Sequence, residues 1–147
     1  MSFCVIGAGA MGGAYGLSLI EAGYKVNFLD VNRDHVNAVK ENGFRLSGIG
    51  KQKVYKINIS DNENDFKNSA DVVLFHAHTT GTKSAALSAA TVLKPDGYAI
   101  TLQNGIGNIE ALSEVLGAKR VVGGISYHSA ALEDLGHVNH TNGGSTF

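Results

Sequence analysis

Close to its start the chain reads Val5-Ile6-Gly7-Ala8-Gly9-Ala10-Met11-Gly12, a G-x-G-x-x-G pattern directly behind an apolar run. Glycine loses more backbone freedom on ordering than any other residue, so glycines at 7, 9, 12, 13 and 16 need a compensating use. Where such a loop joins a strand to a helix, each glycine of the pattern has its own task. The first permits the sharp exit from the strand, the second lets an anionic group reach the main chain, and the third lets the helix lie close to the strand. Unpaired amides at the helix start, with the positive end of its dipole, complete an anion cradle. The pattern therefore implies a pyrophosphate held by Gly7, Ala8, Gly9, Ala10, Met11 and Gly12.

The rest of the chain supplies the context this reading requires. Ser2 to Ile6 has the length and character of a buried strand, and Ala10 to Ala22 that of a helix closed by Gly23. Lys25 to Leu29 reads as a second strand. Asp34 to Glu41 reads as a helix ended by Asn42-Gly43, and Arg45 to Ile59 as two polar-alternating strands around Gly48 and Gly50. An acidic, asparagine-rich loop follows from Ser60 to Asn68. Asp71 to Phe75 is a third buried strand, Lys83 to Leu93 a helix stopped by Lys94-Pro95-Asp96-Gly97, and Tyr98 to Leu102 a fourth strand. A helix over Asn108 to Leu116 and strands near Arg120 to Gly123, Ile125 to Leu132 and His137 to His140 complete the pattern, and the final VNHTNGGSTF enters a turn and the beginning of another strand. Strands alternating with helices at this spacing predict an α/β, Rossmann-type doubly wound fold: a mainly parallel sheet with helices on both faces. Residues 1–147 then form one dinucleotide-binding domain.

Composition excludes several partners. The chain is 44% apolar and 17% charged with a net charge of −1, inside the globular range. Its 12 basic residues are scattered, which argues against nucleic acid. No apolar run nears the roughly 18 residues of a membrane span, and the start lacks a basic n-region, so the sequence reads as cytoplasmic. Cys4, the single cysteine, reads as core. Self-association is left open.

Asp30 ends the second strand, 18 residues after Gly12, where a carboxylate accepts hydrogen bonds from the adenosine ribose and repels a 2′-phosphate; its other reading is a cap for the next helix. Arg33 pulls toward a 2′-phosphate or adenine stacking, or is a solvated arginine. NAD and NADP both stay open. Gln103-Asn104-Gly105 should lie at the carboxyl edge of the sheet, where ligands of open α/β sheets bind, and Asn104 can donate and accept hydrogen bonds there; Asn-Gly is equally an ordinary turn. His76 and His78 share a face at i, i+2 spacing, but no third ligand stands at a typical spacing, so no metal is expected. His128, His137 and His140 lack an ordered nucleophile and acid and read as partly buried or surface histidines. Lys83, Lys119 and Arg120 read as solvated helix ends that could also steer an anion.

IGAGAMGG, the GF and LSG of Gly43 to Gly48, DVVLF, LQNGIGNIEAL and VVGGISYHSAALEDLGHVNHT together resemble the ketopantoate reductases, or 2-dehydropantoate 2-reductases, over essentially the whole chain. The resemblance implies NADPH binding by this half, contact of Asn104 with cofactor and substrate, and a place beside the cofactor for Ser129. Three departures stand out. His78 occupies a position where the family commonly has a lysine, exchanging a near-permanent cation for a group that is mostly neutral at pH 7. Val31 stands where an arginine often follows the acid, which weakens the NADP assignment. Finally, the family carries a helical domain supplying a lysine proton donor and a substrate-holding glutamate, and that domain is absent from this chain, so no catalytic residue is assigned here.

The expected activity of the complete protein is hydride transfer from NAD(P)H to the keto group of ketopantoate, giving pantoate for pantothenate and coenzyme A synthesis. For this chain alone, enzyme activity is left undecided. The alternatives are a non-enzymatic dinucleotide-binding module or sensor subunit, and a related reductase of another small 2-keto acid.

Overall fold

A computed structural model describes residues 1–50, 52–78 and 81–147. Lys51, inside the expected Arg45–Ile59 strands, and Thr79 and Thr80, inside HAHTTGTK, lie outside the described residues. The elements run β1 (Ser2–Ile6), α1 (Ala10–Glu21), β2 (Lys25–Leu29), α2 (Arg33–Asn42), β3 (Phe44–Gly48), β4 (Lys53–Tyr55) and β5 (Asn58–Ser60). After a 3-10 turn at Glu63–Phe66 come β6 (Ala70–Phe75), α3 (Thr82–Val92), β7 (Leu93–Thr101), α4 (Asn108–Leu116), β8 (Val121–Gly123), β9 (Ser129–Asp134) and β10 (His137–Asn142).

Six strands form one sheet in the order β5-β2-β1-β6-β7-β8, every neighbouring pair parallel. Strand β1 lies at its centre and is apolar on both sides, as a strand covered on both faces must be. Phe3 and Val5 join Phe28, Val72 and Leu74 in a core shared with Leu17 of α1 and Val36 and Val39 of α2. Cys4 and Ile6 face the other way, into a core with Val73, Phe75, Ala86, Ala89 and Leu112 under α3 and α4. Burial pushes the Cys4 thiol up to about 12, so it stays protonated and inert.

A second, four-stranded sheet has the order β4-β3-β10-β9 and covers α1. Its central pair, β3 and β10, is parallel and joins Arg45–Gly48 to His137–His140. Val138 and Phe44 press so closely on α1 that a Cβ on Gly13 would lie 2.7 Å from each. Only glycine admits this sheet.

Most ends fall within a residue or two of the sequence expectation, and three segments differ in more than that. Arg45 to Ile59 holds parts of three strands, because Ile59 is buried in the first core and carries β5 to the edge of the main sheet beside β2. The third helix ends at Val92, and β7, expected to begin at Tyr98, already begins at Leu93, which is extended and paired beside Ala70. Lys94, preceding Pro95, favours extended backbone, and Arg120 donates through Nε to the Gly97 carbonyl (2.7 Å) and through a terminal nitrogen to that of Lys94 (2.8 Å). That fork makes Arg120 a clamp on the bulged start of β7 instead of a solvated helix end. The segment expected as one strand from Ile125 is divided: Ile125 exchanges main-chain hydrogen bonds with Phe147 and the Tyr127 N–H donates to the Ser145 carbonyl, while the regular strand β9 begins at Ser129.

Candidate functional site

The three glycines of the loop differ in what surrounds them. Gly7 has φ +93°, and a Cβ there would strike the His76 carbonyl at 2.7 Å. A Cβ on Gly12 would fall 1.8 Å from the Gly7 carbonyl oxygen. Gly9 has an ordinary φ of −73°, and its Cβ would meet nothing within 4 Å. Gly7 and Gly12 are therefore fixed by the protein's own packing, whereas the space at Gly9 is open. No side chain caps α1 at this residue. The cradle thus suits an external anion at the uncapped helix start.

Asp30 stands beside this loop at the end of β2. Its Oδ2 accepts the Ala8 N–H at 2.7 Å and its Oδ1 the Asn32 N–H at 2.9 Å. Capping of α2 falls to Asn32, whose Oδ1 accepts the N–H groups of Asp34 and His35. Asp30 is thus held at the loop and does not cap the helix. Arg33 is highly exposed and donates to Asp61 Oδ2 at 2.8 Å.

Two cavities open at the carboxyl edge of the main sheet. The first, about 320 Å³, lies among the ends of β1, β2 and β6 and the start of α3; Gly7, Asp30, Val31, His78 and Ser84 are among its walls. It sits where the strand order reverses around β1 and β6, the crevice in which open α/β sheets bind ligands. The second, about 480 Å³, is lined by the Gln103-to-Glu110 loop and helix start and by Gly123 to Ile125. Asn104 lies in this second wall.

A polar network missed by sequence reasoning joins the two cavities. Buried Asn108 donates through Nδ2 to the Asn104 carbonyl at 3.0 Å, and its Oδ1 accepts from Thr82 at 3.3 Å. Gln103 accepts from Thr101 Oγ1 at 3.1 Å and donates to the Ala77 carbonyl, next to His78. The loop carrying Asn104 is thereby tied to the segment carrying His78. Its signal in the sequence was the Asn, Gln and Thr residues around an Asn-Gly turn, which alone gave no partners.

The remaining candidates are spread out. Ser129 is exposed at the start of β9, its carbonyl accepting from Thr141, and lines neither cavity. His76 leaves β6 and stacks on Tyr15, centroids 5.3 Å apart. Its Nε2 is buried without a partner among the described residues, and burial lowers its pKa to about 4, so the ring is neutral. His78 is exposed at the first cavity, so the two histidines do not act as one pair. His137 bonds Ser47, and His128 Nδ1 lies 3.2 Å from His140 Nε2. Among the described residues no three His, Cys, Asp or Glu side chains converge as a metal site needs.

Residues 3–147 match the family described as ketopantoate reductase PanE/ApbA. The chain belongs to that family. It is 32% identical over 143 residues to the 2-dehydropantoate 2-reductase of Archaeoglobus fulgidus, covering 97% of this chain and 45% of that protein. With the Pyrococcus abyssi enzyme of the same name it shares 31% over 147 residues, 99% of this chain and 46% of that protein. It therefore spans about half the length of the curated relatives it matches. Among solved structures, the PanE/ApbA family ketopantoate reductase from Ralstonia eutropha superposes with TM-score 0.91 and 32% identity, covering 99% of this chain and 48% of that one. D-mandelate dehydrogenase with NADH and anilino(oxo)acetate superposes with TM-score 0.89 and 26% identity, covering 99% and 46%. The α/β architecture, with its parallel sheet between helices, is that of these oxidoreductases. No helix among the described residues is long and apolar enough to cross a membrane.

Proposed function

We propose that this chain is the dinucleotide-binding part of a reductase of ketopantoate or a closely similar 2-keto acid, and that it takes NAD(H) in preference to NADP(H). The carrying observation is the division of labour in the glycine loop: Gly7 and Gly12 are enclosed by backbone, while the face of Gly9 is empty above an uncapped helix start. The diphosphate would lie on the amides there, with the adenosine end in the first cavity and the nicotinamide end toward Asn104.

The preference for NAD(H) rests on Asp30. Both its oxygens accept main-chain N–H groups, which fixes the carboxylate at the mouth of the first cavity. There it can accept further hydrogen bonds from ribose hydroxyls, and a 2′-phosphate would be repelled. Arg33 is paired with Asp61, so a phosphate reaching that guanidinium would meet a second carboxylate. Val31 is 93% exposed and offers no charge.

Bound NAD(P)H supplies the hydride that reduces the keto carbon. This chain's residues hold and orient it: the loop amides take the diphosphate, Asp30 the ribose, and Asn104, on a loop pinned by Asn108, the nicotinamide ribose and the polar groups of the substrate. No proton donor is assigned among them. The test is titration of the chain with NADH and NADPH by nucleotide fluorescence. Tighter binding of NADH, with the preference narrowed in Asp30→Ala, is expected; tighter binding of NADPH refutes the preference, and binding of neither refutes the function.

A further inference from the structure

His35 stands outside every motif of the sequence, yet it is 2% exposed and placed on α2 directly beneath the glycine loop. Its two ring nitrogens have different partners. The Gly136 N–H, in the turn between β9 and β10, lies 3.1 Å from Nδ1. An N–H can only donate, so Nδ1 is bare and the neutral ring carries its proton on Nε2. Nε2 lies 2.9 Å from the Ala8 carbonyl oxygen and donates to it.

The Ala8 residue is thus held at both ends, its N–H by Asp30 and its carbonyl by His35. A trans peptide points the carbonyl of one residue and the N–H of the next in opposite directions within one plane. Drawing the Ala8 carbonyl inward to buried His35 therefore turns the Gly9 N–H outward. The Phe44 ring meets the imidazole edge-on at 5.4 Å and limits its rotation. The Gly136 carbonyl accepts from Arg45 N–H at 2.8 Å, so the turn that orders the ring is itself anchored on β3.

We infer that His35 is a positioning residue for dinucleotide binding: as a neutral, Nε2-protonated imidazole it sets the Ala8–Gly9 peptide so that the Gly9 amide faces the diphosphate. The inference rests on the dinucleotide reading above and extends it to a residue that touches no part of the ligand.

Glutamine and asparagine separate this role from simple support. In His35→Gln the carboxamide reaches where Nε2 lies and can donate to Ala8; in His35→Asn the shorter carboxamide reaches where Nδ1 lies and can accept from Gly136. Each variant keeps one hydrogen bond and gives up the other, so His35→Gln and His35→Asn should melt close together. With NADH, His35→Gln should bind within about threefold of the parent, while His35→Asn should be weaker by about tenfold, ~1.4 kcal/mol. Equal affinities of the two variants, or loss of affinity that simply follows melting temperature, overturns the inference. Two ligand-free readouts keep it separate from the dinucleotide reading. The Gly9 amide resonance should move in His35→Asn and stay near its parent position in His35→Gln; no movement in either removes the clamp even if NADH binds. The imidazole nitrogen spectrum of the parent needs no variant, and a proton found on Nδ1 overturns the assignment. Failure of the parent to bind NADH, with the clamp resonances as expected, would instead sink the dinucleotide reading and with it the proposed purpose of His35.

Discussion

Replacing Gly9 by valine tests the anion cradle because stability and binding should separate. Gly9 already has a negative φ of −73°, and nothing lies within 4 Å of the position its Cβ would take. Folding therefore loses little: valine is a poorer N-cap than glycine by roughly 0.5–1 kcal/mol. A lower unfolded-state entropy returns about 0.4–1 kcal/mol. The net change should stay within about 1 kcal/mol, or ~3 °C in melting temperature for a chain of this size. Binding should fare very differently. A phosphate oxygen must come to about 2.9 Å from an amide nitrogen, and the isopropyl group would fill that approach. A loss of NADH affinity of at least about 100-fold, ~2.7 kcal/mol, is expected. Gly12→Ala is the contrasting variant. Its Cβ would lie 1.8 Å from the Gly7 carbonyl oxygen and 3.0 Å from Val5, so the backbone must move, at a cost above about 4 kcal/mol. Melting scans paired with NADH fluorescence titration read both quantities. A well-folded Gly9→Val protein that binds NADH like the parent would refute the reasoning, as would a Gly12→Ala protein of unchanged stability.

Other expectations follow from single contacts. Arg120→Lys should lower stability by about 1–2 kcal/mol in urea unfolding, since an ammonium cannot reproduce the fork onto the carbonyls of Lys94 and Gly97. His76 has its pKa lowered by burial to about 4 in the folded state, against ~6.5 unfolded. Below pH 6.5 the unfolded chain takes up the proton first, so stability should fall as pH drops toward 4, by at most about 3 kcal/mol. His76→Phe, which keeps a ring against Tyr15, should flatten that acid limb in melting scans at stepped pH. Cys4, fully buried with its thiol pKa raised, should resist thiol reagents in native buffer and react only at the rate of opening. Rapid labelling of the native protein would contradict its placement.

What could be read from the sequence was local. Strands β1 and β2 and helix α4 have the expected limits because their apolar runs, glycine stops and caps lie within the segments themselves. The second sheet was hidden because β3 and β10 are about ninety residues apart in the chain, and their short, half-polar strands become informative only when paired. Leu93 left the helix for a similar reason: Arg120, distant in sequence, holds the bulged strand start that follows it. At the site, the glycine pattern and Asp30 were legible as types, since chain spacing alone places them together. Their hydrogen bonds were not. Asp30, at the end of β2, holds the Ala8 and Asn32 amides, and buried His35, where α2 passes beneath the loop, holds the Ala8 carbonyl. A histidine beside Val36 on an amphipathic helix carries no mark of that duty.

The bond from Gly136 to His35 has a consequence for synthesis. The glycine loop lies among the first dozen residues made, but the turn that fixes the His35 tautomer is synthesised only after about nine tenths of these residues. The pairing of β10 with β3 must also wait for that moment, and contacts between distant segments form slowly. A nascent chain therefore carries the motif through most of the making of this domain before the β9–β10 hairpin docks and gives the loop its final shape. Competence to hold a nucleotide should arrive abruptly, once that hairpin has cleared the exit tunnel.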